Sequence, residues 1–240
     1  MKKIQIAFII LLFGITIIPL FGQTIYLTSE EQHDIIYMLE EEKLARDVYL
    51  TLGEKWEAQV FQNISISEER HISELKGIAT RNNLTIPETV INDERGKFQN
   101  ETLQNLYDEL VSTGNQSLID ALKVGAKVEE VDIKDLEESI ENTRIQGLKQ
   151  IYIRLKNASE NHLRAFVKSM KKQGLDYQPV LLAKADFDKI VSPENVKGAC
   201  CSDQKGKATC KGEKGGNGNK ACCSSAQKGK GKGCCSKPAG

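Results

Sequence analysis

The segments LEEEKLARDVY (Leu39–Tyr49) and SEERHISEL (Ser67–Leu75) decide how this chain of 240 residues is expected to fold. In and around both, apolar residues recur at three- and four-residue steps, the spacing of an amphipathic helix. Both segments also place carboxylates, and the second a histidine, on the side of the helix that should be apolar. Because a buried carboxylate without a partner is costly, we expect these groups to share a compensating cation, most simply a bound metal ion.

The rest of the middle of the chain is also predicted to be helical. Apolar periodicity predicts helices over about Ser29–Trp56, Gln59–Arg81, Glu101–Ser112, Ser117–Glu141 and Thr143–Gln173. Residues 87–100 are predicted to form a loop, and the helical pattern fades after Pro179. The four long helices form two pairs, and residues 82–116 connect the pairs. This pattern predicts an all-α fold, a four-helix bundle of two antiparallel helix pairs joined by a long crossover that contains the short helix.

The chain is predicted to have three parts. Residues 1–22 place two lysines before an almost wholly apolar run, which predicts a cleaved export signal, with an uncleaved membrane anchor as the alternative. Residues 23–190 are the helical domain. Residues 191–240 are rich in Gly, Lys and Cys and nearly free of large apolar side chains, so we expect a disordered tail. Export would place the protein in the periplasm or outside the cell, with no stable membrane insertion once the signal is removed.

Charge and cysteines are unevenly distributed along the chain. The formal net charge is zero, but residues 198–240 carry a net charge of +7 and contain all seven cysteines. No basic patch interleaved with aromatic residues occurs in the helical part, which argues against nucleic acid as a partner. The adjacent cysteine pairs Cys200-Cys201, Cys222-Cys223 and Cys234-Cys235 have thiolates suited to copper or zinc. Disulfides or an incidental role are the alternative interpretation of these cysteines.

The first two long helices carry the clearest candidate ligands. On the first helix, Glu42 lies on the same apolar stripe as Tyr49. On the second helix, Glu68 and His71 are three residues apart, which puts a carboxylate and an imidazole on one patch. Glu41, at the border of the apolar side, is interpreted as a rim residue whose carboxylate reaches water.

The other two long helices repeat this arrangement. Glu129 and Asp132 lie on the apolar face of the third, with Glu130 nearer the edge, and His162 lies on the apolar face of the fourth. A single buried histidine such as His162 is more often a hydrogen-bonded core residue than a ligand. Recurrence of such groups at mid-length on four helices is what favours a metal site.

These residues resemble the ligand pattern of the ferritin-like superfamily, which includes ferritins and rubrerythrins. The resemblance rests on Glu42 with Tyr49, Glu68-x-x-His71, Glu129 and His162, and it covers about residues 28–173. The phrases EEEKLARDVY, VEEVDIKDL and NHLRAF look like an uncharacterised branch of ferritin-like domains from archaea and bacteria. The resemblance implies a four-helix bundle that holds two iron or manganese ions through one Glu from each of two helices and Glu-x-x-His from the other two.

The fourth helix departs from that pattern. Ser159 stands three residues before His162, where the superfamily has a glutamate, and Glu160 is displaced by one position. Asp132 is the candidate replacement, because some rubrerythrins carry a second carboxylate one turn along the third helix. The predicted metal ligands are therefore Glu42, Glu68, His71, Glu129, Asp132 and His162.

A di-iron centre of this kind implies O₂ or H₂O₂ as a small-molecule substrate, and hence a ferroxidase or peroxide-reducing activity. The sequence does not assign a catalytic residue. Two alternatives stay open, a metal-binding protein without catalysis and a metal-free helical interaction module. A homodimer is the assembly we expect if the chain associates with itself.

Overall fold

Seven helices and no strands make up residues 26–192, the part of the chain that the computed structural model describes. The helices are α1 (Ser29–Trp56), α2 (Gln59–Arg81), α3 (Glu88–Ile91), α4 (Glu101–Gly114), α5 (Leu118–Asn142), α6 (Gln146–Lys172) and α7 (Lys184–Val191). The all-α prediction is confirmed. None of these helices is long and apolar enough to cross a membrane. The predicted export signal and the cysteine-rich part of the predicted tail lie outside the described residues and stay predictions.

The four long helices pack around a shared interior. Helix α1 lies along α2 and helix α5 lies along α6, while α1 also contacts α5 and α2 contacts α6. Two apolar clusters fill the interior. One includes Val48, Phe61 and Phe166, and the other includes Leu39 and Leu75. The candidate ligands occupy the level between these two clusters, so apolar side chains separate them from both ends of the helix assembly.

Three segment predictions were wrong in detail. Residues 88–91 form one helical turn inside the segment predicted to be a loop, and α7 lies beyond the point where the helical pattern fades. Helix α6 begins at Gln146 rather than Thr143, because Thr143 has an extended backbone and its hydroxyl donates a 2.8 Å hydrogen bond to Glu31 Oε1. This bond ties the α5–α6 connection to the first turn of α1.

The face of α1 opposite the apolar stripe is covered by the segment that follows α3. Lys43 Nζ donates to the carbonyl oxygens of Glu94 and Lys97 and pairs with Asp47 at 2.7 Å. Glu40 accepts a 2.6 Å hydrogen bond from the backbone amide of Gln99. These polar side chains are buried because they bind backbone groups of the crossover, so this face of α1 is not a solvent-exposed face.

Glu130 corrects another prediction, since it is fully buried rather than near an edge. Its carboxylate accepts hydrogen bonds from the Tyr177 hydroxyl at 2.7 Å and from the backbone amides of Val180, Leu181 and Leu182. These hydrogen bonds hold the segment between α6 and α7 against α5. Glu130 is the neighbour in sequence of the candidate ligand Glu129.

Candidate metal centre

The six predicted ligands lie in one buried polar layer. Each side chain belongs to a residue that is no more than 9 % exposed. They come from all four long helices: Glu42 from α1, Glu68 and His71 from α2, Glu129 and Asp132 from α5, and His162 from α6. The helical spacing of each pair puts its two side chains on one face, and the packing of the helices brings these faces together.

Glu68 lies at the middle of the layer. Its Oε2 atom is 2.7 Å from His71 Nδ1, and its Oε1 atom is 2.9 Å from His162 Nδ1. The two oxygens of one carboxylate thus face two different imidazoles, whose ring centroids are 5.8 Å apart. Each imidazole also meets a second carboxylate, His71 that of Glu42 at 3.0 Å and His162 that of Glu129 at 3.5 Å.

These contacts divide the layer into two groups of ligand atoms. Glu42, Glu68 and His71 form one, Glu68, Glu129 and His162 form the other, and within each group the ligand atoms lie within 4.8 Å of one another. Glu68 belongs to both. Five of the six predicted ligands are therefore brought together. The shared carboxylate of Glu68 lies where a ligand common to two cations would lie.

Several buried atoms of the layer have no hydrogen-bond partner among the described residues. They are Glu42 Oε1, Glu68 Oε1, Asp132 Oδ1 and His162 Nδ1. Glu68 Oε1 and His162 Nδ1 lie 2.9 Å apart. Ligand atoms that converge in a buried site, where unpaired polar atoms are costly, are directed as ligands of a common cation are. The residues present therefore fit a metal pair.

The electrostatics of the layer point the same way. Burial alone would lower the pKa of His71, but the carboxylates of Glu42 and Glu68 outweigh it and raise that pKa to about 11. Burial likewise opposes ionisation of Glu68, yet the two imidazoles lower its pKa to about 2. Burial raises the pKa of Glu42 to about 7, although His71 acts against that rise. Protons on the histidines thus supply positive charge that bound metal ions would otherwise supply.

Asp132 is next to the two groups but belongs to neither. Its Oδ2 atom accepts a hydrogen bond from the hydroxyl of Ser159, which is fully buried. Burial, and then the charges of Glu42 and Glu129, raise the pKa of Asp132 well above its usual range. The position that the ferritin-like pattern gives to a glutamate is therefore occupied by a serine that orients Asp132 on the neighbouring helix.

Tyr49 is bonded directly to a candidate ligand. Its hydroxyl donates a 2.5 Å hydrogen bond to Glu129 Oε1. Burial and the charge of Glu129 raise the pKa of Tyr49 well above its usual range, so the phenol keeps its proton and remains a donor. The bond fixes one oxygen of Glu129 and leaves Oε2 directed toward His162.

Sequence reasoning missed Glu41, which was interpreted as a rim residue. It is only 3 % exposed, and among residues 26–192 no N–H or hydroxyl group donates a hydrogen bond to either of its carboxylate oxygens. Burial raises the pKa of Glu41 well above its usual range, and Asp132 and Asp135 raise it further. The reason is that α5 packs over this side of α1. The only sequence feature that relates to this site is the three-residue spacing of Asp132 and Asp135. It puts on one face of α5 the two carboxylates that lie near Glu41.

Comparisons with known proteins place the same residues in a wider context. The chain is 43% identical over 172 residues to the uncharacterized protein MJ0754 of Methanocaldococcus jannaschii, a match that covers 72% of this chain and 92% of that protein. The structure of this chain is similar to the crystal structure of hypothetical protein MJ0754 from Methanococcus jannaschii, with a TM-score of 0.67 and 43% sequence identity. The similarity covers 69% of this chain and 93% of that chain. Residues 31–194 match a family model described as an uncharacterized protein domain (DUF2202). All six candidate ligands lie within that match.

Proposed function

This chain belongs to the family of the uncharacterized protein domain DUF2202, and from that premise we propose that its helical domain is a ferritin-like four-helix bundle that binds two metal ions, most simply iron. The observation that carries the proposal is the position of Glu68. Its two oxygens face two histidines on two helices, at 2.7 Å and 2.9 Å. A carboxylate that only neutralised one protonated histidine would need to approach a single imidazole, whereas Glu68 approaches two.

The donor set favours iron or manganese. It consists of carboxylates and imidazoles without a thiolate, since no cysteine lies in residues 26–192. Carboxylate and imidazole donors suit iron and manganese, whereas thiolates select copper and zinc. Manganese is the second choice for the same donor set. Copper or zinc binding by the cysteine-rich tail is a separate prediction, which lies outside the described residues.

Each residue has a distinct role in this proposal. Glu42 and His71 would hold one ion, Glu129 and His162 would hold the other, and Glu68 would contribute to both. Asp132, oriented by Ser159, supplies a further carboxylate beside the pair. Tyr49 and Ser159 act through the carboxylates that they bind, which is how residues around a metal site tune its ligands.

The activity we propose is oxidation of Fe(II) or reduction of peroxide. Two iron ions, when bound, would supply two electrons to O₂ or H₂O₂. The protein's part is to hold the ligands at one level and to exclude bulk water by the apolar clusters on either side. Tyr49 keeps its proton at neutral pH and orients Glu129. Export to the periplasm or beyond, and a homodimer, remain parts of the proposal that rest on the sequence alone.

Elemental analysis of the full chain tests the metal site. The seven cysteines should first be alkylated, because all of them lie in the tail and would bind metals of their own. We expect about two iron ions per parent chain and almost none in Glu68→Ala/His71→Ala. The matched control is His33→Ala/Glu141→Ala, which removes the same two residue types from exposed positions and should bind as the parent does. A parent that holds neither iron nor manganese would overturn the metal site.

The proposed activity needs a separate measurement. Consumption of O₂ or H₂O₂ by the alkylated protein in the presence of Fe(II) should be faster in the parent than in the double variant. Metal binding without such consumption would make the protein a metal-binding protein that is not an enzyme.

A further inference from the structure

A seam of polar residues joins α1 and α5 along their length. Ser139 donates a 3.0 Å hydrogen bond to Asp34, and one turn further along α1 the Tyr37 hydroxyl donates to Asp135 at 3.3 Å. From the first hydrogen bond to the second, the residue numbers increase on α1 and decrease on α5, so the two helices are antiparallel. The next turn of the seam consists of Glu41 on α1 and Asp132 on α5, and there the seam reaches the candidate metal centre.

The carboxylates of this seam are half-buried at its outer end and buried beside the candidate metal centre. Asp135 is half-buried, Glu41 is 3 % exposed and Asp132 is 5 % exposed. Glu41 interacts with both aspartates and with Glu42. The three carboxylates Asp135, Glu41 and Asp132, which we call the acidic seam, therefore lead inward from solvent to the ligands of the centre.

Glu41 is the unusual member of the acidic seam. Among the described residues, no N–H or hydroxyl group donates a hydrogen bond to either of its oxygens, and the same is true of Asp132 Oδ1. A buried carboxylate in this state is strongly disfavoured unless a cation or a proton accompanies it. Packing does not require a glutamate here, since an apolar side chain would fill the same interior more cheaply.

We propose that the acidic seam is a transit site through which divalent cations reach the metal centre, with Glu41 passing the ion from Asp135 to Asp132. This inference rests on the metal centre proposed above. The seam is a transit site rather than a third resident site because its three carboxylates do not form a third group of converging ligand atoms within residues 26–192. Two carboxylates at a time hold the ion, so it is held weakly enough to move on.

The competing explanation is that Glu41 is a neutral carboxylic acid that shares a proton with Asp135. Glutamine is the variant that separates the two, because it keeps the size and hydrogen-bonding capacity of a neutral acid but cannot ligate a cation with a negative charge. Glu41→Gln should leave a protein with a shared proton unaffected, and it should slow loading if the carboxylate carries cations.

The test is the rate at which the metal-free full chain, with its cysteines alkylated, binds Co²⁺, followed by the growth of the ligand-field absorption. At limiting Co²⁺, Glu41→Gln and Asp135→Asn are each expected to slow binding about tenfold, the order of a charge-focusing effect. The final number of ions and the final spectrum should equal those of the parent. Glu141→Gln removes one negative charge from an exposed position on α5, the helix of Asp135. This control variant should bind Co²⁺ at the parental rate.

Three results would overturn the transit site. Parental rates in Glu41→Gln would show that Glu41 is a neutral acid. Loss of a bound ion at saturation would show that Glu41 is a resident ligand. A parent that binds no Co²⁺ would end both this inference and the metal centre, whereas normal binding with unaltered rates would end this inference alone.

Discussion

Glu68 Oε1 and His162 Nδ1 face each other across 2.9 Å in the buried centre of the protein. The other oxygen of the same carboxylate stands 2.7 Å from His71. Glu68 is therefore the residue on which both halves of the proposed centre depend, and the loss of other ligands should be less severe.

Alanine substitutions of the glutamates should remove different numbers of ions. Glu68→Ala should lower the iron content from about two ions per chain to below about one, because each ion loses a ligand and is then bound less tightly. Glu42→Ala and Glu129→Ala should each remove one ion. Elemental analysis of folded protein measures this, with folding checked by circular dichroism. Equal losses in the three variants would contradict a shared Glu68.

Ser159 should matter for metal affinity through Asp132. Ser159→Ala removes the hydroxyl that holds Asp132 Oδ2, and losses of such supporting hydrogen bonds typically cost about 10- to 100-fold in metal affinity. Competition with a chelator measures the affinity. Ser65→Ala is the matched control, because Ser65 is also a buried helical serine but donates its hydrogen bond to the carbonyl of Gln62 rather than to a carboxylate. Unchanged affinity in Ser159→Ala would show that this hydrogen bond does not support a metal ligand.

The long helices could be predicted from the sequence because their apolar residues recur over many turns. The bounds of α1 and α2 agree with the prediction, as does the inward placement of Glu42, Glu68 and His71. Glu41 and Glu130 could not be predicted, since helical phase gives a residue's direction but not which element covers it. Glu41 is covered by α5, and Glu130 by the segment that contains Tyr177.

Gly125 marks a close approach that no periodicity reveals. A Cβ atom at this position would lie 2.4 Å from the ring of Phe166, whereas a Cβ at Gly147 on α6 would meet nothing within 4 Å. Gly125→Ala should therefore lower the free energy of unfolding by about 1–3 kcal/mol through overpacking. Gly147→Ala should raise it by roughly 0.5–1 kcal/mol, because alanine restricts the unfolded chain and favours helix. Urea denaturation of both variants decides, and effects of equal sign would contradict the assigned packing.

Glu130 should contribute to stability without contributing to metal binding. Its carboxylate accepts from three consecutive backbone amides and from Tyr177, and hydrogen bonds to a charged group are worth about 1.5–3 kcal/mol each at most. Glu130→Gln should lower the free energy of unfolding by about 2 kcal/mol. The iron content should stay that of the parent, which distinguishes Glu130 from its neighbour Glu129. A lost ion would place Glu130 among the ligands instead.

The metal-free protein should become less stable as the pH rises, while metal binding becomes stronger. The pKa of His71 is raised from 6.5 to about 11 and that of Glu42 from 4.5 to about 7. A group whose pKa is raised by folding stabilises the fold below its unfolded pKa, and that stability is lost as the pH approaches the folded value. Stability should therefore fall between pH 4.5, the unfolded pKa of Glu42, and about pH 11, the folded pKa of His71. Glu68 acts oppositely, but only below its unfolded pKa of 4.5.

Thermal unfolding across this pH range measures how steeply stability falls. Saturating Mn²⁺ should flatten the dependence, and the metal-free variant Glu42→Gln/His71→Gln should also show a smaller slope. A metal-free protein that gained stability with rising pH would show that its buried histidines are neutral, and that no proton occupies the place proposed for metal.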